Sequence, residues 1–230
     1  MDLKLIYGNM RALCEAPQMM LHYGNIPYEY KMPWDHYGKS WADVKNDIIF
    51  NRLPILIIDN EKYIWQSNSI IRYLSTLTKT KPADEFQLAY CDAIFESTHE
   101  MFSPLNPTIN MSYGEKHINN KKKLLEDILP ISLNNFENLL KNSSGNFFLG
   151  DVPYYCDFNA YHHFSLCLLL DENIFSNFEN LKKFMNSFEK LNNIEKYLNS
   201  RPDLVEIGET PHFIIDGKKI PTGLNPDKKY

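Results

Sequence analysis

The stretch from Arg52 to Leu74 constrains the fold more than any other part of the chain. An apolar run, Ile55 to Ile58, meets the turn residues Asp59-Asn60, and a short extended run from Tyr63 to Trp65 follows. Apolar residues then recur at helical spacing, at positions 70, 71 and 74. The pattern predicts a β-hairpin that leads directly into a helix.

Two residues of this stretch carry chemical meaning. Pro54 starts a strand, where a proline needs no ladder hydrogen bond and where a cis bond would turn the backbone groups of the preceding residue toward a ligand. Ser67 stands at the expected helix N-cap, where its hydroxyl and the free amides of the first turn can hold a carboxylate. Each alone also fits an ordinary edge proline and an ordinary cap. Together they indicate a site for an extended, peptide-like anion.

Leu-Pro-Ile-Leu, a turn and Trp-Gln-Ser-Asn-Ser-Ile-Ile-Arg-Tyr-Leu follow one another in this stretch. The order and spacing resemble the glutathione-binding half of the cytosolic glutathione transferases, in which a cis-proline precedes the third strand and a Gln-Ser pair caps the third helix. The resemblance implies an α/β plus all-α fold, with an N-terminal thioredoxin-like domain followed by an all-helical C-terminal domain.

The order of the other elements agrees with this division. Leu3 to Tyr7 alternates as a strand does, Ala12 to Tyr23 has helical spacing, and Pro27 to Met32 is extended. We therefore expect a thioredoxin-like domain over residues 1–78, a polar linker over 79–85 and a helical domain over 86–230. One predicted helix spans 84–102, where Ser103-Pro104 and Pro107 would stop it, and a second spans 115–141, with a kink at Pro130. The stretches 157–170 and 178–197 would supply two or three more.

Two features lie later in the helical domain. Phe148 to Phe158 resembles the capping motif of the family's helical domain, in which Asp157 braces the start of a buried helix; Tyr154 replaces the usual Ser or Thr, which puts the reciprocal cap in doubt. Asp216-Gly217 between two extended runs predicts a hairpin in the tail. That tail, residues 201–230, either folds over the active-site cleft or braces the helical domain, and bracing is favoured.

Composition excludes several classes of function. The net charge of −5 argues against a nucleic-acid binder, and the one dense basic run, Lys121 to Lys123, fits a solvated helix face. The four cysteines are widely spaced and match no CxxC or metal pattern, which favours reduced thiols. No apolar h-region or membrane-length apolar run is present, so a cytoplasmic location without membrane partners is expected.

Lys4 to Glu15 resembles the first strand and turn of the tyrosine-type transferases of the alpha, mu, pi and sigma classes, nearest sigma. There a tyrosine points at the glutathione sulfur, and Tyr7 takes this position. Its alternative is a strand-end tyrosine facing solvent. Arg11 matches the first of two supporting arginines, whereas Leu13 replaces the second. The resemblance makes Tyr7 and Arg11 the catalytic residues. With Leu13 in place of the second arginine, either thiol activation is weaker or Arg11 substitutes from its neighbouring place on the turn.

The resemblance also implies the residues that bind glutathione, the co-substrate. Trp41 and Lys45 match the pair that contacts its glycine end, although an amphipathic helix accounts for them equally well. Glu100 matches an acidic residue that reaches the γ-glutamyl amine across a dimer interface; Glu96 competes, and a solvated carboxylate is the alternative. The full predicted set is Trp41, Lys45, Arg52, Leu53, Pro54, Gln66, Ser67 and Glu100.

The remaining predictions concern a second subunit, a metal, a thiol nucleophile and the second substrate. Phe50 resembles the aromatic key that some classes insert into a second subunit, which implies a homodimer. His162-His163 are adjacent and cannot face one metal from one helix side, so no metal is expected, and Cys14 lies past the position of a thiol nucleophile. An apolar pocket for the second substrate, a small hydrophobic electrophile, is expected at Met10, Met101, Phe102 and Asn106.

The function implied is a glutathione transferase that activates the thiol through Tyr7 for conjugation, the detoxification chemistry of the family. Two alternatives stay open: a glutathione-dependent isomerase of lipid mediators, which would differ only in the pocket, and a catalytically weak glutathione-binding or scaffold relative. Leu13 and the altered capping motif motivate the second alternative.

Overall fold

A computed structural model describes residues 1–222 of the chain. The first part contains a mixed sheet of four strands, β1 (Leu3–Ile6), β2 (Glu29–Lys31), β3 (Ile55–Ile58) and β4 (Lys62–Trp65). Their order across the sheet is β2-β1-β3-β4, with β1 parallel to β2 and antiparallel to β3. The predicted hairpin is present as β3 and β4.

Strand β3 is buried on both faces, which explains its uninterrupted apolar run. Leu56 and Ile58 face the main core, where helices α1 (Glu15–Tyr23) and α4 (Ser67–Leu77) pack. Ile55 and Ile57 face a second, smaller cluster with Ile6, Val44 and Ile48. The segment that covers this second face contains α2 (Pro33–Tyr37), α3 (Trp41–Val44) and two 3-10 turns, Lys45–Asp47 and Ile49–Asn51.

The second part is a bundle of helices around a buried central helix, α8. Thirteen of the sixteen residues of α8 are buried, so it lacks an exposed polar stripe. The helices are α5 (Glu85–Asn110), α6 (Gly114–Lys123), α7 (Leu129–Lys141), α8 (Tyr155–Leu170), α9 (Glu179–Glu189) and α10 (Ile194–Ser200). This arrangement of a thioredoxin-like sheet followed by helices confirms the predicted fold class.

The predicted end of α5 at Ser103-Pro104 was wrong, because the helix continues through Pro104 and Pro107 to Asn110. A proline inside a helix removes one backbone hydrogen bond. Beyond Pro104 the helix still buries Leu105 and Ile109 completely, and the Thr108 hydroxyl donates to the Pro104 carbonyl at 2.9 Å. Burial against the bundle therefore outweighs the lost bond.

The interruption predicted near Pro130 is present. A π-helical segment, Leu124–Ile128, separates α6 from α7 immediately before this proline. The Leu129 N–H donates to the Leu124 carbonyl, five residues back, so the backbone departs from α geometry there. The stretches 157–170 and 178–197, predicted to supply two or three helices, form three, namely α8, α9 and α10.

Asp157 braces the start of α8 as its side chain predicts. Its carboxylate oxygens accept hydrogen bonds from the Phe148 N–H at 3.0 Å and the Tyr154 N–H at 2.8 Å. Burial raises the pKa of this carboxyl to about 7, although both backbone donors act to lower it. The hydrogen bond from the Tyr154 N–H to the Asp157 carboxylate is therefore present although Tyr154 replaces the usual Ser or Thr.

The tail forms a small antiparallel sheet rather than a hairpin alone. Its strands are β5 (Asp203–Val205), β6 (His212–Ile215) and β7 (Lys218–Pro221), in the order β5-β6-β7. The predicted hairpin joins β6 to β7 through Asp216 and Gly217, at φ values of 50° and 73° that a two-residue turn of this kind requires. Residues 223–230 of the predicted tail lie outside the described residues.

One main core extends through both parts of the fold. It joins Leu5 and Met19 of the first part to Phe95 and Phe158 of the second, all four fully buried. At the junction the Tyr23 ring lies edge-on to the Phe158 ring, with centroids 5.3 Å apart. The sheet edge that holds the candidate site is thus supported by the helical bundle.

Candidate active site

Three predicted site residues share one edge of the sheet. The register pairs Ile6 with Ile55 across β1 and β3, and Ile55 with Trp65 across β3 and β4. Tyr7, Pro54 and Gln66 are the chain neighbours of these residues on the same side. Strand pairing alone therefore brings together positions that are far apart in the sequence.

Tyr7 ends strand β1 and is 7% exposed. Its N–H donates to the Lys31 carbonyl at 3.1 Å, and its hydroxyl donates to the Met10 sulfur at 3.8 Å. Burial raises the pKa of the phenol, the Cys14 thiol adds to the rise, and a backbone hydrogen bond from Leu13 opposes it. The hydroxyl therefore keeps its proton at neutral pH and can act as a hydrogen-bond donor.

The Leu53-Pro54 peptide bond is cis, as predicted. Pro54 is buried and Leu53 is half-buried, packing against both clusters. Within residues 1–222, the backbone N–H and C=O of Leu53 form no hydrogen bond with another residue of the chain. An extended peptide can pair with such free groups at a sheet edge.

Helix α4 begins at Ser67, so the N-cap is Gln66 and not Ser67 as predicted. Gln66 is exposed and has φ 69° and ψ 121°, an uncommon conformation for a residue with a side chain. Ser67 is buried, and its hydroxyl contacts the Asn68 side-chain oxygen at 3.4 Å. The first-turn amides of α4 still point to the same edge as Tyr7.

The residues predicted to meet the glycine end, Trp41 and Lys45, lie with Arg52 on the segment between β2 and β3. Trp41, the first residue of α3, is half-buried against the second cluster, while Lys45 and Arg52 are exposed. The Ser40 hydroxyl caps α3 by accepting from the Asp43 N–H at 3.3 Å. Trp41 therefore packs on the sheet, and both cations remain accessible.

Arg11 is buried and turns toward the tail. Its guanidinium donates to the Pro202 carbonyl and lies 5.9 Å from the centroid of the Phe213 ring. Burial lowers its pKa, as does the Arg201 charge, whereas Glu15 opposes the decrease. Leu13 packs, half-buried, against the main core.

Comparisons with known proteins agree with this geometry. A glutathione S-transferase N-terminal domain model matches residues 1–76, and a glutathione S-transferase C-terminal domain model matches residues 99–201. Glutathione S-transferase Mu 3 of Homo sapiens is 30% identical over 192 residues, which cover 80% of this chain and 82% of that protein. The chain belongs to the glutathione transferase family.

Two further similarities support the assignment. Glutathione S-transferase P of Caenorhabditis elegans is 28% identical over 193 residues, covering 82% of this chain and 88% of that protein. The solved Pi-class glutathione S-transferase of Onchocerca volvulus has a TM-score of 0.76 at 24% identity, over 87% of this chain and 94% of that chain. The relatives' names confirm the predicted class of enzyme, and the solved structure confirms the fold.

In this glutathione transferase the two acidic candidates on α5 have different surroundings. Glu96 forms an ion pair with Arg72 and accepts from the Asn68 side chain at 3.3 Å. Arg72 also contacts Asp92 at 2.8 Å. Glu100, one turn further along α5, is exposed.

The four residues predicted for the acceptor pocket of the transferase have different surroundings: two lie in the core, one is half-buried on α5 and one lines a cavity. Met101 and Phe102 are buried in the main core, where the Phe102 ring stacks on His163 with centroids 4.5 Å apart. Asn106 is half-buried, and its side-chain oxygen accepts from the Asn110 amide at 3.0 Å. Met10 lines a cavity.

That cavity, of about 320 Å³, lies beside the turn that follows Tyr7. Asn9, Met10 and Arg11 form one side, and Phe213 and Ile215 of β6 form another. The sequence did not predict that these two tail residues lie beside this turn. The strand alternation of β6 was a usable signal, but the sequence did not show which surface the tail covers.

Phe50 lies on the surface of the transferase. It is 62% exposed, has φ 66°, and its ring is edge-on to Trp65 at 6.3 Å. His162 and His163 are buried in the core, and burial lowers the pKa of both imidazoles.

Residues 1–222 contain no group of three or more His, Cys, Asp or Glu residues arranged to hold a metal ion. Over the same range, no helix has both the length and the apolar character needed to span a membrane.

Proposed function

We propose that this transferase binds glutathione at the Tyr7 edge of the sheet and that the Tyr7 hydroxyl activates its thiol for conjugation to small hydrophobic electrophiles. The observation that carries the proposal is the buried hydroxyl of Tyr7 at the same sheet edge as the free backbone groups of Leu53. A donor and an extended peptide-binding edge thus occur at one place.

The chemistry requires a donor because only a thiolate is a good nucleophile, and a free thiol titrates at about 8.5. A hydrogen bond from a neutral phenol favours the ionised sulfur. Lowering the thiol pKa by about two units takes roughly 2.7 kcal/mol. The thiol proton passes to water, the sulfur forms a bond to the electrophilic carbon, and a leaving group departs or the adjacent carbanion takes a proton.

The peptide would be held along the same edge. Leu53, next to the cis Pro54, would pair through its backbone groups with the cysteinyl backbone of the peptide. Gln66, Ser67 and the first amides of α4 would bind the γ-glutamyl carboxylate. The φ of 69° at Gln66 supports this role, since strained backbone is retained where a site needs it. Trp41 and Lys45 would contact the glycine end, and Arg52 would contribute with Leu53 and Pro54 to the backbone pairing.

Assembly is part of the proposal. We infer a homodimer in which Phe50 enters the second subunit, because a large aromatic that is 62% exposed has an unfavourable surface in a monomer. Glu100, exposed on α5, would reach the γ-glutamyl amine of glutathione bound to the other subunit. Glu96 is the weaker candidate because Arg72 already neutralises it.

The main competitor is a glutathione-binding relative with little activity. Leu13 offers no charge to the sulfur, and Arg11 is engaged by Pro202. Activation by Tyr7 would then depend on the phenol alone. A glutathione-dependent isomerase would use the same thiolate and differ only in its second substrate.

The test is the near-ultraviolet absorbance of the bound thiolate, titrated with pH. We expect a thiol pKa below that of free glutathione in the wild type and a return toward the free value in Tyr7→Phe. Tyr63→Phe is the matched control, because Tyr63 is an exposed tyrosine of the same sheet. Binding with no shift would support the inactive relative, and an unchanged pKa in Tyr7→Phe would refute the role of Tyr7.

A further inference from the structure

The chain leaves the sheet directly after Tyr7 and forms a turn over residues 8–11. The Tyr7 N–H still donates to the Lys31 carbonyl of β2, at 3.1 Å. Inside the turn, the Met10 N–H donates to the Gly8 carbonyl at 2.8 Å, and the Ala12 N–H donates to the Met10 carbonyl at 3.0 Å. Such short-range bonds fix the shape of a turn, but they do not fix its position relative to the sheet.

A side-chain hydrogen bond attaches this turn to β2. The Tyr30 hydroxyl donates to the Gly8 carbonyl at 2.9 Å. Tyr30 is the middle residue of β2, and its half-buried ring packs against the main core. Burial raises the pKa of its phenol well above the ordinary value, and the Cys14 thiol and the Tyr7 phenol add to the rise. The Tyr30 hydroxyl therefore keeps its proton and remains a donor at neutral pH.

The position of the turn matters because groups of the same segment surround the Tyr7 hydroxyl. This hydroxyl donates to the Met10 sulfur at 3.8 Å, and the backbone of Leu13 forms a hydrogen bond with the phenol. A functional group must be held within about 0.5 Å of its productive position by the residues around it. A displaced Gly8 peptide would move Tyr7 and these two neighbours relative to a bound sulfur.

We propose that Tyr30 is a positioning residue for thiol activation, whose hydroxyl fixes the Gly8 peptide and thereby the direction in which Tyr7 presents its own hydroxyl to the glutathione sulfur. The proposal rests on the proposed function and deepens it, because it concerns the same donor. Tyr30 acts through Tyr7 and not on the substrate, since its hydroxyl is already engaged by Gly8. Leu13 brings no positive charge to the sulfur, so the alignment of the phenol carries more of the activation.

Tyr28 provides a matched control. It lies two residues before Tyr30, so both side chains point to the same side of an extended segment. Both rings are half-buried and pack against the main core. The Tyr28 hydroxyl, however, donates to the Gln18 side chain of α1 at 3.2 Å and does not contact the turn. Tyr28→Phe and Tyr30→Phe thus each remove one buried hydroxyl and one hydrogen bond, and only the second frees Gly8.

The first experiment does not depend on the proposed function. Amide hydrogen exchange of the free protein, followed by mass spectrometry on peptides that cover residues 8–13, compares the wild type with the two variants. We expect exchange in this segment to become about two- to tenfold faster in Tyr30→Phe, the effect of one neutral hydrogen bond, and to stay unchanged in Tyr28→Phe. Equal exchange rates in the two variants would overturn the attachment of the turn by Tyr30.

The second experiment measures the activation itself. In the near-ultraviolet titration of bound glutathione, we expect the thiol pKa to rise by about 0.5–1 in Tyr30→Phe and to stay at the wild-type value in Tyr28→Phe. The Kd of S-methylglutathione, which has no ionisable thiol, should be the same in all three proteins. A loss of general stability would not separate the two tyrosine variants in this way.

The double variant Tyr7→Phe/Tyr30→Phe tests whether Tyr30 acts through Tyr7. Its thiol pKa should equal that of Tyr7→Phe, and a further rise would refute this route. If Tyr7→Phe raises the thiol pKa and Tyr30→Phe does not, the role of Tyr30 is refuted and the proposed function stands. If Tyr7→Phe leaves the thiol pKa unchanged, thiol activation by Tyr7 is refuted, and the positioning role of Tyr30 is refuted with it.

Discussion

The Arg201 guanidinium lies 2.7 Å from the Glu15 carboxylate, and the two side chains are 16% and 5% exposed. Glu15 opens α1, and Arg201 follows α10, so the pair joins the helix after the Tyr7 turn to the start of the tail. Burial and the positive charge of Arg201 both disfavour the charged form of Arg11, whereas the Glu15 carboxylate favours it. One carboxylate therefore serves two buried arginines.

Glu15→Gln should destabilise the protein more than Arg201→Met. The first change removes the carboxylate paired with Arg201 and a negative charge that favours charged Arg11, at a cost of about 3–5 kcal/mol, whereas the second leaves Glu15 near Arg11. Urea unfolding of the two single variants and the double variant checks this. Equal costs for the single variants would contradict the shared role of Glu15.

Glu137 of α7 should act as a cap for α9. Its carboxylate accepts from the Asn180 N–H at 3.0 Å, the Asn180 amide at 2.7 Å and the Leu181 N–H at 2.9 Å. Glu137→Gln replaces one acceptor by a donor, and we expect a loss of about 1–3 kcal/mol in urea unfolding. Glu179→Gln, in the exposed pair with Lys182, should cost less than about 1 kcal/mol. Similar losses in both variants would rule out the cap.

The stability contributed by Asp157 should depend on pH. Its pKa is raised by burial from 3.8 to about 7, so between these values the folded chain holds a proton that the unfolded chain has released. The contribution is full below about pH 4 and is lost as the pH rises through about 7, by roughly 1.4 kcal/mol per pKa unit. We therefore expect the difference in unfolding free energy, wild type minus Asp157→Asn, to decrease as the pH rises from 4 to 8. A flat or rising difference would exclude a raised pKa.

Ser67→Ala should weaken the binding of glutathione. Loss of one hydroxyl contact to a charged carboxylate corresponds to about 1.5–3 kcal/mol, or roughly a 10- to 150-fold rise in Kd. Ser69→Ala is the control, because Ser69 is an exposed serine in the same helical turn. Calorimetric titration with glutathione gives both values, and equal affinities of the two variants would remove Ser67 from the site.

Much of the first domain could be predicted from local patterns. The run Ile55 to Ile58 and the turn Asp59-Asn60 indicate the hairpin without any reference to the rest of the chain. Its register then brings Tyr7, Pro54 and Gln66 together. The register of each strand pair fixes which residues lie side by side. A few correct local assignments therefore determine which residues share an edge of the sheet.

Interactions between distant segments could not be predicted in this way. The end of α5 depends on what Leu105 and Ile109 bury, and a proline in the sequence carries no information about that. The partner of Arg11 is the carbonyl of Pro202, 191 residues later. A backbone acceptor has no sequence signature, so the attachment of the tail and the cavity wall at Phe213 became visible only in the structure.

The main core that runs from Leu5 and Met19 to Phe95 and Phe158 affects how the molecule unfolds. The two domains share buried surface, so neither can open without exposing apolar side chains of the other. Denaturation should then be a single transition, with tryptophan fluorescence, which reports on the first domain, coinciding with helical circular dichroism, which reports mainly on the second. The sheet that holds the candidate site thus unfolds together with the helical bundle that supports it.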